Sequence, residues 1–194
     1  APQTTNDPIL AACQMIVLLQ QIVARRVDPL ETAILSIGCI HSGSAPNIIP
    51  GEATFTGIAR TYSDDIRGIV EKQVYDIAEG IGVLSGCQVG IDHIRGYPTT
   101  FNDKDLIALA AETISAELGP DSVVMLERPL SFSEDFSYFG QMSGIPSAYF
   151  LLFGGQGGKE LYSLHNPKCV LLEEAIPSGM AALAGTAVAY LNRQ

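Results

Sequence analysis

The apolar residues of this chain change period in a set order, and that order leaves few folds open. Asp7 followed by Pro8 reads as an N-cap and first helical position. Ile9, Cys13, Ile16, Val17 and Leu19 then recur at helical spacing up to Arg25 and Arg26, which suit a last turn, so a helix is expected over residues 7–26. Strand-like segments follow at 34–40 and 53–62. Ser63 caps a second helix with Ile66, Ile69, Val70, Gln73, Val74, Ile77 and Ile81 along one face, and Gly86 ends it. A strand alternating Cys87, Val89, Ile91 and His93 against Gln88, Gly90 and Asp92 runs toward Pro98. The order helix, strand, strand, helix, strand is the split βαβ, ferredoxin-like pattern with its opening strand absent.

From Asn102 the pattern changes. A capped helix to about Leu118 precedes an apolar strand at 123–126, a loop and a short helix from Asp135. A second apolar run at 147–153, a Gly-rich loop and a helix to Leu191 complete it. This alternation predicts part of a mainly parallel sheet covered by helices, in an α/β chain. Two such strands do not make a stable open sheet, so this half is expected to be incomplete as well.

Composition narrows the function. Among 194 residues there are 21 acids and 11 bases, a formal net charge of −10, which argues against nucleic acid and anionic lipid as partners. Without a run of 18 apolar residues, no membrane partner is expected. Four scattered cysteines, Cys13, Cys39, Cys87 and Cys169, lack CxxC spacing and fit a reduced, cytoplasmic setting better than a disulfide framework. Residues 1–7 contain no basic segment followed by an apolar core, and the first residue is not Met, so a processed or partial chain is expected.

Three segments can carry chemistry. The eleven-residue stretch His41–Gly51 is long for a hairpin connection and holds Asn47, with Arg60 thirteen residues further on. An Arg clamps a carboxylate through paired hydrogen bonds and an Asn amide serves an amide group, while the plainer alternative is a strand-end charge and a turn former. Glu134 and Asp135, in Ser133-Glu134-Asp135-Phe136, stand ahead of a short helix where capping competes with ligation. His165 lies in Leu164-His165-Asn166-Pro167, after the Gly-rich loop that begins at Gly154, and is either exposed or placed to meet a ligand or metal. That loop lacks GxGxxG and a GK[ST] ending, which weakens a phosphate-cradle reading. His93 falls on the apolar parity of its strand, and His41 opens the long loop.

Six short motifs in order carry a resemblance. They are Asn6-Asp7-Pro8-Ile9, Ala45-Pro46-Asn47-Ile48-Ile49-Pro50, Gly57-Ile58-Ala59-Arg60-Thr61, Arg95-Gly96-Tyr97-Pro98, Ser133-Glu134-Asp135-Phe136 and Leu164-His165-Asn166-Pro167. Together they resemble the amidohydrolase branch of the metal-dependent aminoacylase and carboxypeptidase family, which includes hippurate hydrolases and auxin-conjugate hydrolases. The resemblance implies that residues 1–98 are most of a ferredoxin-like lid that also forms a homodimer. Residues 99–194 would be the C-terminal part of an αβα catalytic domain.

It implies, further, metal-dependent hydrolysis of the amide bond of N-acyl amino acids or small peptide-like substrates. Two divalent ions would take part, zinc, manganese, cobalt or nickel. His165 would be a metal ligand, and Asn47, Arg60, Glu134 and Gly154 would bind substrate. The general base and the other ligands would lie upstream, so the chain is expected to be a C-terminal segment, inactive alone. Two other readings remain at this point: a non-catalytic dimerisation or binding module of the same fold, and a small-ligand binder using the loop 154–158.

Overall fold

The structure is a computed structural model, and it describes residues 1–155 and 162–193. The chain divides into two compact units, Ala1–Thr99 and Thr100–Gln194.

In the first unit the local signals act as expected. Helix α1 spans Pro8–Arg26, and the Asp7 carboxylate accepts from the Ile9 and Leu10 amides at 2.9 and 3.1 Å. Such a cap contributes about 1 kcal/mol. Strands β1 (Ala33–Ser42) and β2 (Ala53–Thr61) pair antiparallel, with Ile34 opposite Arg60 and Ser42 opposite Ala53. Helix α2 (Asp64–Ser85) starts where the Ser63 hydroxyl accepts from the Ile66 amide at 3.3 Å. It stops at Gly86, whose φ of 73° admits a residue without a Cβ at little cost.

The core of this unit lies where α1 and α2 cover one face of the hairpin. Ala11, Met15, Leu19 and Ile22 of α1 meet Ile66, Val70, Ala78 and Ile81 of α2, and Leu35, Ile37 and Phe55 reach in from the sheet. Ile69 is 39% exposed and so lies off the face expected for it, while Ala78 takes a buried place. A bulge between Ile37 and Cys39 inserts one residue into β1, after which Ile40 rather than Cys39 shares the face of Phe55.

Helix α1 bears on the expectation about membranes. With 19 residues and a mean hydropathy of 1.5 it is long and apolar enough to cross a bilayer by length and composition. The stripe Ala11, Ala12, Met15, Leu19 and Ile22 is instead buried within the unit, as in a core helix.

The second unit pairs α3 (Lys104–Leu118) with α5 (Ile176–Leu191), and α4 (Ser137–Ser143) lies between them in the chain. Ala110, Ile114 and Ala182 form its buried centre, with Val123 and Phe150 packed on it. Short side chains on α5 let neighbours approach: a Cβ at Gly185 would overlap the Glu117 carboxylate, and one at Gly179 would come 2.9 Å from Leu152 Cδ2.

Strands expected at 87–93, 123–126 and 147–153 do not form among the described residues, where β1 and β2 make the one sheet and no parallel pair occurs. A strand exists only through a ladder partner, and these apolar runs have none there. Cys87 and Ile91 nevertheless pack on the first core. Residues 147–149 are tied instead to the residues before α3: the Asp103 amide donates to the Ser147 carbonyl at 2.9 Å, and the Asn102 side chain brackets Tyr149. Asn102 is therefore not the cap of α3. Asp103 is, accepting from the Asp105 and Leu106 amides.

Candidate functional site

Asn47 and Arg60 both belong to the first unit, at opposite ends of its hairpin. The Leu-free loop after β1 contains a turn in which the Ile48 amide donates to the Ala45 carbonyl at 3.4 Å, with Pro46 and Asn47 in its centre. Asn47 has negative φ, since His165 is the one non-Gly residue with positive φ among the described residues; this excludes a type II turn. The loop base is pinned near the start of α1, where a Cβ on Gly43 would lie 3.7 Å from Ile9 Cδ1 and 3.9 Å from Pro50. Ser42 Oγ donates to the Glu52 carbonyl at 2.6 Å and closes the loop. A cavity of about 430 Å³ opens here, lined in part by His41, Ser44, Ile48, Pro50 and Glu52.

Arg60 stands seven residues beyond Ala53 on β2, opposite Ile34, and is half-buried. At a rise of about 3.3 Å per residue, that places it roughly 23 Å along the strand from the loop. The two residues therefore meet on a single small ligand only where the loop folds back along the strands or where two copies share the ligand.

Glu134, Gly154 and His165 belong to the second unit. The acidic motif does not cap α4, which begins without a side-chain cap. Its turn is closed by the backbone, the Ser137 and Tyr138 amides donating to the Glu134 and Asp135 carbonyls at 3.3 and 3.0 Å. Ser137 is 4% exposed and its Oγ donates to the Glu134 carbonyl at 2.7 Å, which fixes the backbone of that residue. Burial, foremost, together with the charges of Glu134 and Asp135, raises the ionisation of the Tyr149 phenol above the ordinary tyrosine range.

Gly154 accepts from the Leu172 amide at 3.0 Å, and a Cβ there would meet Ala175 at 3.7 Å, an ordinary contact. Space therefore does not demand glycine at 154. Gln156, Gly157, Gly158 and Leu161 of the expected loop lie outside the described residues.

His165 is the conformational exception. Its φ of 71° is left-handed, at the third position of a turn closed by Asn166 N–H to the Ser163 carbonyl at 3.1 Å. That position of a type II turn favours glycine, and an L-residue there costs about 1–2 kcal/mol. The turn is over-determined on its far side, where Lys168 N–H donates to Asn166 Oδ1 at 2.9 Å and Cys169 N–H to the Asn166 carbonyl at 2.9 Å. The strained turn presents an exposed imidazole with no hydrogen-bond or ion-pair partner among the described residues. Strain retained at an exposed side chain is an observation from which function is argued. Substituting His165 with glycine is expected to stabilise the chain by about 0.5–1 kcal/mol, read as a rise in denaturant midpoint. A fall in midpoint would show that the imidazole contributes packing of its own.

The donor set does not fit two metal ions by itself. Among the described residues no group of three or more His, Cys, Asp or Glu could hold a metal, whereas even one catalytic zinc commonly takes three protein ligands.

Two residues escaped the sequence reading. Tyr149 lies inside the apolar run expected as a strand, and Asn102 opens the segment expected to hold a capped helix. The Asn102-Asp103 pair was the available signal, since only one of two adjacent capping residues can cap, which leaves the other for a different partner.

The chain is 32% identical to the hippurate hydrolase of Campylobacter jejuni, over 99% of this chain and 49% of that protein. It is 36% identical to the N-acetyldiaminopimelate deacetylase of Geobacillus thermodenitrificans, over 94% of this chain and 46% of that one. The crystal structure of Bacillus subtilis YxeP, described as a dinuclear metal-binding peptidase, matches with a TM-score of 0.73 at 30% identity, covering 98% of this chain and 47% of that one. The chain thus spans about half the length of the relatives it matches. Residues 12–189 match the profile of one family, and the chain belongs to it: peptidase family M20/M25/M40.

Proposed function

We propose that this chain serves an enzyme that hydrolyses the amide bond of N-acyl amino acids, residues 1–98 as its lid and dimerisation domain and 99–194 as the C-terminal part of its catalytic domain. The observation that carries this reading is that likeness to a hippurate hydrolase and to a deacetylase runs through nearly the whole chain. In the proposal His165 is a metal ligand, and its strained, outward-facing turn supports that role. The remaining ligands for two divalent ions (zinc, manganese, cobalt or nickel) and the general base come from outside these residues, because a single imidazole cannot hold them.

Asn47 and Arg60 bind the amide region and the carboxylate of the substrate. Their placement at opposite ends of one hairpin supports a homodimer in which each copy offers one of them to a given site. Glu134 and Gly154 face the substrate from the catalytic part. Four free thiols, two of them exposed, support a reducing cytoplasmic setting.

The test compares the 194 residues alone with the same residues joined to the remaining part of the enzyme. Release of amino acid from hippurate and from N-acetyl amino acids is followed by mass spectrometry, and metal by elemental analysis. Hydrolysis and two ions per chain are expected only in the joined protein. Two-metal binding and hydrolysis by the 194 residues alone would refute the division of labour. A metal-loaded joined protein that hydrolyses none of these amides would favour the second reading, a non-catalytic module, which the lack of a three-ligand cluster among the described residues supports.

A further inference from the structure

We propose that Arg67 is a positioning residue at the base of the lid: through the Tyr97 carbonyl it latches residues 93–97 to α2, so that the lid turns about Pro98, Thr99, Thr100 and Phe101 alone. This rests on the reading above, in which residues 1–98 are a lid.

The motif Arg95-Gly96-Tyr97-Pro98 lies just before the boundary between the two units at Thr99. Residues 86–103 form neither helix nor strand, so side chains must hold what a ladder would otherwise hold. On α2, Asp64, Arg67, Glu71 and Tyr75 recur at spacings of three and four and share one face. His93, Arg95 and Tyr97 alternate, which turns all three to one side of an extended chain. The two rows meet running in opposite directions. The Tyr75 ring stands edge-on to the His93 ring at 6.4 Å, and Glu71 Oε1 lies 3.7 Å from both His93 Nε2 and Arg95 Nε. Asp64 Oδ1 lies 3.9 Å from Arg95 Nη2 and 3.6 Å from Arg67 Nη1, and Arg67 Nη2 donates to the Tyr97 carbonyl at 2.9 Å. Exposed ion pairs such as those of Arg95 contribute little singly. Arg67 differs, because its side chain is only 18% exposed and its bond to Tyr97 is charge-assisted. It holds the backbone one residue ahead of Pro98, whose ring fixes its own φ.

The far end of the pivot is fixed within the second unit. The Tyr149 amide donates to Asn102 Oδ1 at 2.7 Å, its carbonyl accepts from Asn102 Nδ2 at 3.2 Å, and the Asp103 amide donates to the Ser147 carbonyl at 2.9 Å. An aromatic cage holds the Tyr149 ring, with Phe136 at 5.2 Å between centroids and Phe132 edge-on at 6.4 Å. Between Tyr97 and Asn102 lie four residues, of which the Phe101 carbonyl takes Ser147 Oγ at 3.5 Å, the long limit of a hydrogen bond. So short a pivot restricts the directions in which a lid closes, whereas release of residues 93–97 lengthens it to nine residues.

The first experiment is nitrogen-15 relaxation of the backbone amides of the 194-residue chain and its Arg67→Met variant. Lys72→Met, which removes the exposed pair with Asp76, is the control on the same helix. In wild type, residues 93–97 are expected to be as ordered as α2, with order parameters of about 0.85, and Thr99, Thr100 and Phe101 to fall below about 0.6. Arg67→Met keeps an unbranched stem and is expected to spread the low values to residues 95–97 with α2 unchanged, while Lys72→Met leaves the wild-type pattern. Equal order from 93 through 103 overturns the pivot, and rigid residues 95–97 in Arg67→Met overturn the latch. Should Arg67→Met not fold, Glu71→Gln removes the charge facing His93 and Arg95 and is read in the same way at those two residues.

The second experiment measures hydrolysis by the joined enzyme. Arg67→Met is expected to raise KM severalfold, because a smaller share of molecules holds the lid ready to close. Arg67→Lys, whose ammonium still donates to a carbonyl, is expected to recover most of that loss. An unchanged KM in Arg67→Met overturns the link between latch and lid. Absence of hydrolysis in the unsubstituted joined enzyme refutes the proposed activity, whereas the relaxation measurement decides the latch independently.

Discussion

Replacing Arg60 with alanine is expected to weaken binding of substrates that carry a free carboxylate by about 1.5–3 kcal/mol, roughly ten- to a hundredfold or more, because a charge-assisted pair is lost. The comparison that gives this meaning is a matched substrate whose carboxyl is esterified. Arg60 is half-buried on β2, so its removal also costs side-chain burial, which affects both substrates alike. The ratio of the two losses isolates the carboxylate. Equal losses would remove the assigned role. Because Arg60 and Asn47 are separated along one hairpin, mixing Arg60→Ala and Asn47→Ala copies in one dimer offers a second readout. If each site draws one residue from each copy, mixed dimers contain one intact site and recover activity that neither parent has.

Gly57→Ala is expected to destabilise the first unit by about 1–3 kcal/mol, the range for forcing atoms into a filled space. A Cβ at Gly57 would lie 2.5 Å from the carbonyl oxygen of Ser36 and 2.7 Å from Ile37 Cδ1, beside the β1 bulge. The methyl of Ile37 can turn aside, but a backbone oxygen in a ladder cannot. For a unit of this size each kcal/mol lowers the melting midpoint by about 4–8 °C. Gly80→Ala supplies the opposite sign. Gly80 is inside α2 with nothing within 4 Å of a Cβ, so alanine there is expected to stabilise by about 0.5–1 kcal/mol. A neutral Gly57→Ala would mean that the two strands can separate locally at no cost.

What was legible in the sequence and what was not divides by range. Asp7-Pro8, Ser63 and Gly86 act on neighbours within one turn, so the ends of α1 and α2 follow from adjacent residues. The period of the apolar residues in α3 and α5 likewise needs no distant partner. The runs at 87–93, 123–126 and 147–153 have strand composition, but a ladder is a relation between two segments, and composition on one side cannot supply the other. The candidate residues show the same limit. Asn47 and Arg60 were readable as chemistry, and their separation followed from the hairpin, since antiparallel geometry converts residue number into distance. The influence of the Glu134 charge on the Tyr149 phenol links residues fifteen apart through an irregular loop, where no period relates number to place. Left-handed His165 was invisible for another reason: Leu164-His165-Asn166 contains no glycine to mark the turn, and the favoured residue gave way to an imidazole.

The bracket that Asn102 forms around Tyr149 makes this chain sensitive to a slow chemical change. Hydrolytic deamidation of Asn102 would replace its Nδ2 donor with an oxygen, so that an anion would face the Tyr149 carbonyl at the 3.2 Å now spanned by a hydrogen bond. The Tyr149 amide could still find an acceptor, but the other half of the bracket would turn repulsive, and the aromatic cage would loosen without any residue being cut or lost. Ageing of a stored sample would then show itself first in the surroundings of Tyr149, while α1, α2 and the hairpin of the other unit stayed intact.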